Sequence, residues 1–184
     1  MVSSFLVRLV SVAVLFVATA GPGQARAYTL EACAWAGTSI AYTDQSGAYA
    51  GTTERAVADW NGVRGSPVRL YAANGAALTF QARNFGRSGY DGITVMSCDG
   101  AGHFVHVTSS YNTYYADRYG SAARESLFGH EIGHALGLAH TGALPCPVPI
   151  MYHGSDRYFS CGEVGPQPDD VAGVQAVVHR VQGR

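Results

Sequence analysis

One short segment carries side chains whose types and spacing could do chemistry. It reads His-Glu-Ile-Gly-His-Ala-Leu-Gly-Leu-Ala-His from residue 130 to residue 140. If the segment begins as a helix, His130 and His134 lie on one face with Cβ atoms about 5–6 Å apart. Two imidazoles in that arrangement can bind one tetrahedral metal ion. The spacing therefore predicts a metal site, and chance produces His-Glu-x-x-His in a chain of this length only about once in two hundred sequences.

The residues around this pair indicate a catalytic metal rather than a structural one. Glu131 lies about 100° round the helix from His130, so its carboxylate is near the metal without binding it and can serve as a general base. Gly137 favours a left-handed turn that ends the helix and returns His140 to the same ion. Three histidine ligands leave one coordination position open, which is typical of catalytic zinc sites.

The periodicity of apolar residues predicts the elements that must position these side chains. Strands are predicted at 39–43, 68–71, 77–83, 92–98 and 103–108. Helices are predicted from Thr52 or Thr53 to about Asn61, from Ser121 to about Leu136, and from Asp169 or Asp170 onwards. This order predicts an α+β domain with one twisted, mixed, five-stranded sheet, an active-site helix, a backing helix and a C-terminal helix.

The first 27 residues differ in character from the rest of the chain. Residues 1–8 contain one arginine and no acid, residues 9–20 are apolar, and small residues follow up to Ala20 and Ala27. This pattern predicts a signal peptide at 1–27, cleaved after Ala20 or after Ala27, and a secreted, extracellular catalytic domain at 28–184. The alternative is an uncleaved N-terminal anchor, although the apolar run is shorter than the span of about 20 residues that a membrane requires.

Four cysteines, at positions 33, 98, 146 and 161, follow the predicted signal peptide. An even number of cysteines in a secreted domain indicates two disulfides, for which three pairings exist. We favour Cys33–Cys98 and Cys146–Cys161, the second of which closes a loop of about 15 residues. The alternative is that some of these cysteines are free thiols.

The composition argues against a nucleic-acid partner. The chain has 12 basic and 13 acidic residues, a formal net charge of −1, and no run of basic residues. With 47% hydrophobic and 14% charged residues, it is typical of one globular domain. We expect a monomer without stable membrane association after signal cleavage.

The segment 130–140 resembles the signature of the metzincin metallopeptidases. That family carries a methionine in a tight turn beneath its metal, and Met151 fits this position. The stretch 169–175 is similar to the matrixins, and the cysteines flanking Met151 resemble those of the small, secreted, bacterial snapalysins. The resemblance implies a zinc endopeptidase whose partner is a protein or peptide substrate. It also implies that His130, His134 and His140 bind one Zn²⁺ and that Glu131 is the catalytic base.

The chain departs from these families at two points. Snapalysin-type enzymes usually have aspartate as third ligand, whereas this chain has His140. The Pro-Arg-Cys-Gly motif of matrixin propeptides does not occur in the sequence. Two other functions stay open: a zinc amidase acting on cell-wall peptide, and a non-catalytic secreted binding module of the same fold. The sequence does not decide whether structural Ca²⁺ is bound.

Other histidines and tyrosines are weaker candidates. His103 and His106 are three residues apart on a predicted strand, so they point to opposite faces and are not expected to share an ion. The tyrosines of the segment 111–119 either flank the cleft or pack in the core. The predicted strand 92–98 is expected to bind an extended substrate by strand addition.

Overall fold

The computed structural model describes residues 28–142 and 145–183, so the predicted signal peptide at 1–27 lies outside the described residues. In the described ranges the chain is an α+β domain built on a five-stranded mixed sheet, which confirms the predicted class. No helix within these ranges is both long enough and apolar enough to span a bilayer.

The strands form one main sheet and one short ribbon. In chain order they are β1 (Thr29–Leu30), β2 (Ser39–Gln45), β3 (Arg69–Ala72), β4 (Leu78–Arg83), β5 (Gly92–Cys98), β6 (Phe104–Asn112) and β7 (Leu138–Ala139). The main sheet has the order β3-β2-β4-β6-β5. Its first four strands are parallel, whereas β5 pairs antiparallel to β6 at one edge. The antiparallel pair β1–β7 forms the ribbon.

The helices flank these strands. They are α1 (Ala50–Gly62), α2 (Thr113–Ala116), α3 (Ser121–Ala135), α4 (Asp156–Phe159) and α5 (Pro168–Gln182). Helices α1 and α3 pack against each other; α1 contacts β2 and β3, and α3 contacts β5 and β6. Helix α5 packs on the β1–β7 ribbon. The three long helices therefore match the three that the sequence predicts.

The core fixes α3 between the sheet and α1. Phe128 and Ile132 are fully buried and are spaced i, i+4, so they share the apolar face of α3. The ring of Tyr111, on β6, stacks on Phe128 with centroids 3.4 Å apart. From the other side, the indole Nε1 of Trp60 donates a hydrogen bond to the Gly129 carbonyl at 2.8 Å. Contacts with β6 on one side and with α1 on the other therefore fix the position of helix α3.

Several predicted boundaries need correction. Helix α1 begins at Ala50 because a 3₁₀ turn, Gly47–Tyr49, leads directly into it. Thr53 is not a cap: it is buried inside α1, where its hydroxyl donates to Ser46 Oγ at 2.9 Å. Helix α5 begins at Pro168, with a capping box formed by Gln167 and Asp170.

Both favoured disulfides are present, and no free cysteine remains. Cys33–Cys98 joins the segment after β1 to the end of β5 across a sequence separation of 65 residues. Cys146–Cys161 spans 15 residues and encloses α4. The first bridge therefore ties the N-terminal segment to the edge strand β5, and the second closes the loop that contains α4.

Replacing both Cys33 and Cys98 by alanine should lower the free energy of unfolding by about 4 kcal/mol, because the longer loop restricts the unfolded chain more. Replacing Cys146 and Cys161 should lower it by about 3 kcal/mol. Urea unfolding of the two double variants beside the native protein measures both values. A Cys33/Cys98 double variant as stable as the native protein would contradict this account of the longer loop.

Candidate metal centre

Helix α3 places two imidazoles on one face near its C-terminal end. His130 is 4% exposed, and His134 is partly buried. After Leu136 the chain reverses at Gly137, whose φ of 95° lies in the left-handed region that favours glycine. Strand β7 follows, and His140 comes directly after it. The predicted turn therefore brings the third histidine back to the first two.

The three Nε2 atoms converge on one point. His140 Nε2 lies 3.2 Å from His130 Nε2 and 3.1 Å from His134 Nε2. Ligand atoms about 2.0–2.1 Å from one tetrahedral ion are about 3.3–3.4 Å apart. The observed spacing is close to that requirement. This is the one group of three or more such residues, among those the structure describes, that could hold a metal ion.

The opposite ring nitrogens fix the tautomers of the first two histidines. His130 Nδ1 lies 2.7 Å from the Ile150 carbonyl, and His134 Nδ1 lies 2.8 Å from the Leu138 carbonyl. Because a carbonyl only accepts, each Nδ1 must carry a proton, and each neutral ring turns its Nε2 lone pair towards the shared point. Burial lowers the pKa of His130 well below its ordinary value, which favours this neutral, metal-binding form.

The donor set limits the metals that fit. Imidazole nitrogen suits zinc, copper, iron and nickel, whereas magnesium and calcium prefer oxygen. A carboxylate of Glu31 lies 3.7 Å from His134 Nδ1, on the outer side of that ligand. The group can therefore hold a borderline transition-metal ion with three protein ligands.

Glu131 is held beside the three histidines by strand β5. Its side chain is 3% exposed, and its Oε2 accepts a hydrogen bond from Thr94 Oγ1 at 2.7 Å. A Cβ atom on Gly92 would lie 2.2 Å from Glu131 Oε1, so only glycine fits there. Burial raises the pKa of Glu131, an effect partly opposed by His134 and by the Thr94 hydrogen bond. The carboxylate is thus positioned in the cleft by residues that the sequence analysis did not identify.

Met151 packs directly beneath the histidine-bearing helix. It is 1% exposed, and a Cβ atom on Gly133 would lie 2.1 Å from its sulfur. Asp170 of α5 fixes the turn that presents this methionine. Its carboxylate accepts hydrogen bonds from Ile150 N at 2.8 Å and from Met151 N at 3.2 Å. The resemblance to metzincins predicted Met151 at this place, whereas Asp170 was predicted as a possible helix start and not as an anchor of this turn.

The histidines and Glu131 line a cleft of about 740 Å³. Tyr115 and Tyr119 also line it, whereas Tyr111 is buried in the core. His153 lies at the rim with its ring centroid 6.4 Å from that of His140, a neighbour that sequence spacing did not indicate. The cleft also contains Arg157, which carried no sequence signal because it depends on the fold of the loop.

His103 and His106 do not form a second metal pair. His103 Nδ1 lies 3.3 Å from Asp99 Oδ2, and His106 is exposed with its Nε2 3.2 Å from Thr108 Oγ1. The two rings have separate polar neighbours, as the strand geometry predicts.

Comparison with known proteins adds no assignment. No protein-family model matches the chain, and no curated protein matches it. The arrangement of the histidines, Glu131 and the methionine turn is therefore the basis for inferring function.

Gly133→Ala should destabilise the protein by roughly 1–3 kcal/mol, because the new methyl group would overlap the Met151 sulfur. Helix propensity alone predicts the opposite, a gain of about 1 kcal/mol. Gly62→Ala is the matched control, since nothing lies within 4 Å of its added Cβ. Chemical unfolding of both variants compares them. If both variants kept the stability of the native protein, Met151 would not require glycine at position 133.

Proposed function

We propose that the chain is a secreted, zinc-dependent endopeptidase of the metzincin type. The observation that carries the proposal is the convergence of three Nε2 atoms beside a buried glutamate in an open cleft. Three imidazoles with a free coordination position are typical of catalytic zinc sites, whereas structural sites are normally closed by a fourth protein ligand. The glycine turn at Gly137 and the methionine beneath α3 add two features of the metzincin arrangement.

Zinc held by His130, His134 and His140 would polarise the scissile carbonyl and lower the pKa of a water molecule towards 7. Glu131 then accepts the proton of the attacking water and delivers a proton to the departing amine. The Thr94 hydrogen bond keeps this carboxylate turned towards the cleft. Burial raises its pKa, which makes the carboxylate a stronger base for the first, proton-accepting half of the cycle.

The substrate backbone would lie along β5. This strand is the edge of the main sheet, and its outer side has no strand partner among the described residues. Gly92, Ile93, Thr94 and Met96 line the cleft. An extended peptide can therefore add to this edge through main-chain hydrogen bonds while its scissile bond lies over the histidines.

The loop closed by Cys146–Cys161 would form the opposite wall. Four residues of this loop line the cleft: His153, Gly154, Ser155 and Arg157. The disulfide stiffens the wall, and Asp170 anchors its base through the backbone of Ile150 and Met151. Substrate selection on this side of the scissile bond would depend on the loop.

Glu131→Gln should abolish nearly all proteolysis while metal content is retained, because the amide cannot accept a proton and the three ligands are unchanged. A loss of about 100-fold or more in kcat/KM on casein-derived peptides is expected. Glu54→Gln, at an exposed position of α1, is the matched control and should remain fully active.

The same assay separates the competing functions. Chelator should stop hydrolysis and added zinc should restore it. Substantial activity in Glu131→Gln would remove this residue from the base role. Turnover of peptidoglycan but not of protein would favour the amidase, and the absence of any turnover in the metal-loaded chain would favour the binding module.

A further inference from the structure

Arg157 is a buried cation in the wall of the cleft. It lies in α4, its residue is 2% exposed, and it is among the side chains that line the cleft. Its Nη1 donates a hydrogen bond to the Gly154 carbonyl at 3.0 Å. Its Nε is buried and has no hydrogen-bond partner among the residues that the structure describes. A guanidinium has five N–H donors, so most of this side chain's capacity is unused.

No carboxylate compensates this charge at close range. Among the described residues, no acidic oxygen lies within 4 Å of the Arg157 nitrogens. Asp91 and Glu131 attract it only from farther away. Asp91 accepts a hydrogen bond from Tyr119 at 3.2 Å, and Glu131 accepts one from Thr94. Arginine remains protonated in proteins, so the cleft contains a desolvated positive charge without its own counter-ion.

The position of Arg157 relative to the histidines indicates which part of a substrate it would meet. The loop closed by Cys146–Cys161, here called the wall loop, contains both His153 and Arg157. The ring centroid of His153 lies 6.4 Å from that of His140. Arg157 lines the same cleft as the histidines and β5. It also interacts electrostatically with Glu131 and with Asp91, which directly precedes β5. A peptide lying along β5 would direct a side chain or its C-terminal end towards this wall.

We propose that Arg157 binds a carboxylate of the substrate, so that the cleft selects peptides carrying a negative charge near the scissile bond. This inference rests on the proposed peptidase function and names its substrate class. A carboxylate matches the planar guanidinium through paired N–H···O hydrogen bonds and supplies the missing counter-ion. The carboxylate comes either from an aspartate or glutamate side chain or from the C-terminus of the substrate.

A purely structural role makes a different prediction. If Arg157 served only to brace the loop through the Gly154 carbonyl, its replacement would slow the cleavage of acidic and neutral peptides equally. If it binds substrate, replacement changes the ratio between them. The ratio of kcat/KM values is therefore the readout, rather than activity itself.

The test uses the zinc-loaded, mature protein and a set of peptides that differ at one residue near the scissile bond: glutamate, glutamine or leucine, each with a free or an amidated C-terminus. The native protein should cleave a carboxylate-bearing peptide at least about tenfold more efficiently than its isosteric amide. A preference for glutamate identifies a side-chain site, and a preference for the free C-terminus identifies a terminal site. Equal rates for every carboxylate–amide pair would overturn the proposal without any variant.

Variants then assign the preference to this residue. Arg157→Met should bring the ratio close to one, and Arg157→Lys should retain part of it because the charge stays. Arg69→Met, on the exposed far-edge strand β3, should leave the ratio unchanged. If Arg157→Met folds and keeps the native ratio, Arg157 is not the carboxylate-binding residue.

Binding separates this proposal from the peptidase proposal. In the Glu131→Gln background, isothermal titration should show tighter binding of the carboxylate peptide than of the amide, by about tenfold. That result would support the Arg157 site even if no peptide were hydrolysed. Equal affinities of this variant for the two peptides, together with protein hydrolysis by the native chain, would overturn the Arg157 site and leave the peptidase proposal intact.

Discussion

The structure depends on the approach of three imidazole nitrogens to one point. Two of the rings donate their outer N–H groups to the carbonyls of Ile150 and Leu138, so their inner nitrogens are lone-pair donors by necessity. His140 Nε2 approaches both of these nitrogens at 3.1–3.2 Å, and such an arrangement is favourable when a cation lies between the three. The helix end, the left-handed turn at Gly137 and the methionine turn all contribute to this single arrangement.

At two positions around the three histidines, a side chain packs directly against the backbone of a glycine. Glycine at 133 admits the Met151 sulfur beneath α3, and glycine at 92 admits the Glu131 carboxylate against β5. Asp170 then ties the methionine turn to α5 by accepting two backbone N–H groups. The three histidines, Glu131 and strand β5 therefore belong to one packed unit, and a methyl group added at either glycine would disturb it.

Local spacing was sufficient to predict the group of three histidines and most of the framework. Short periodic segments of the sequence predict the three long helices, the five main strands, the i, i+4 histidines and the glycine turn. The structure contains all of them. Strands β1 and β7 are only two residues long, which is too short for an alternation of apolar and polar residues to predict them. Thr94 contacts Glu131, which is 37 positions away in the sequence, so no local pattern indicates it. Arg157 lines the cleft only because of the fold of its loop, so no local pattern indicates it either. The start of α1 was misplaced because the preceding 3₁₀ turn, and not a threonine cap, sets it.

Zinc stoichiometry and affinity of the purified mature chain test the central claim most directly. The account predicts one zinc ion per chain, with affinity reduced more than about 100-fold in His140→Ala. His106→Ala, which removes an exposed histidine on β6, should bind zinc like the native protein. A folded native chain that takes up no zinc, or a His140→Ala variant with unchanged affinity, would contradict the account.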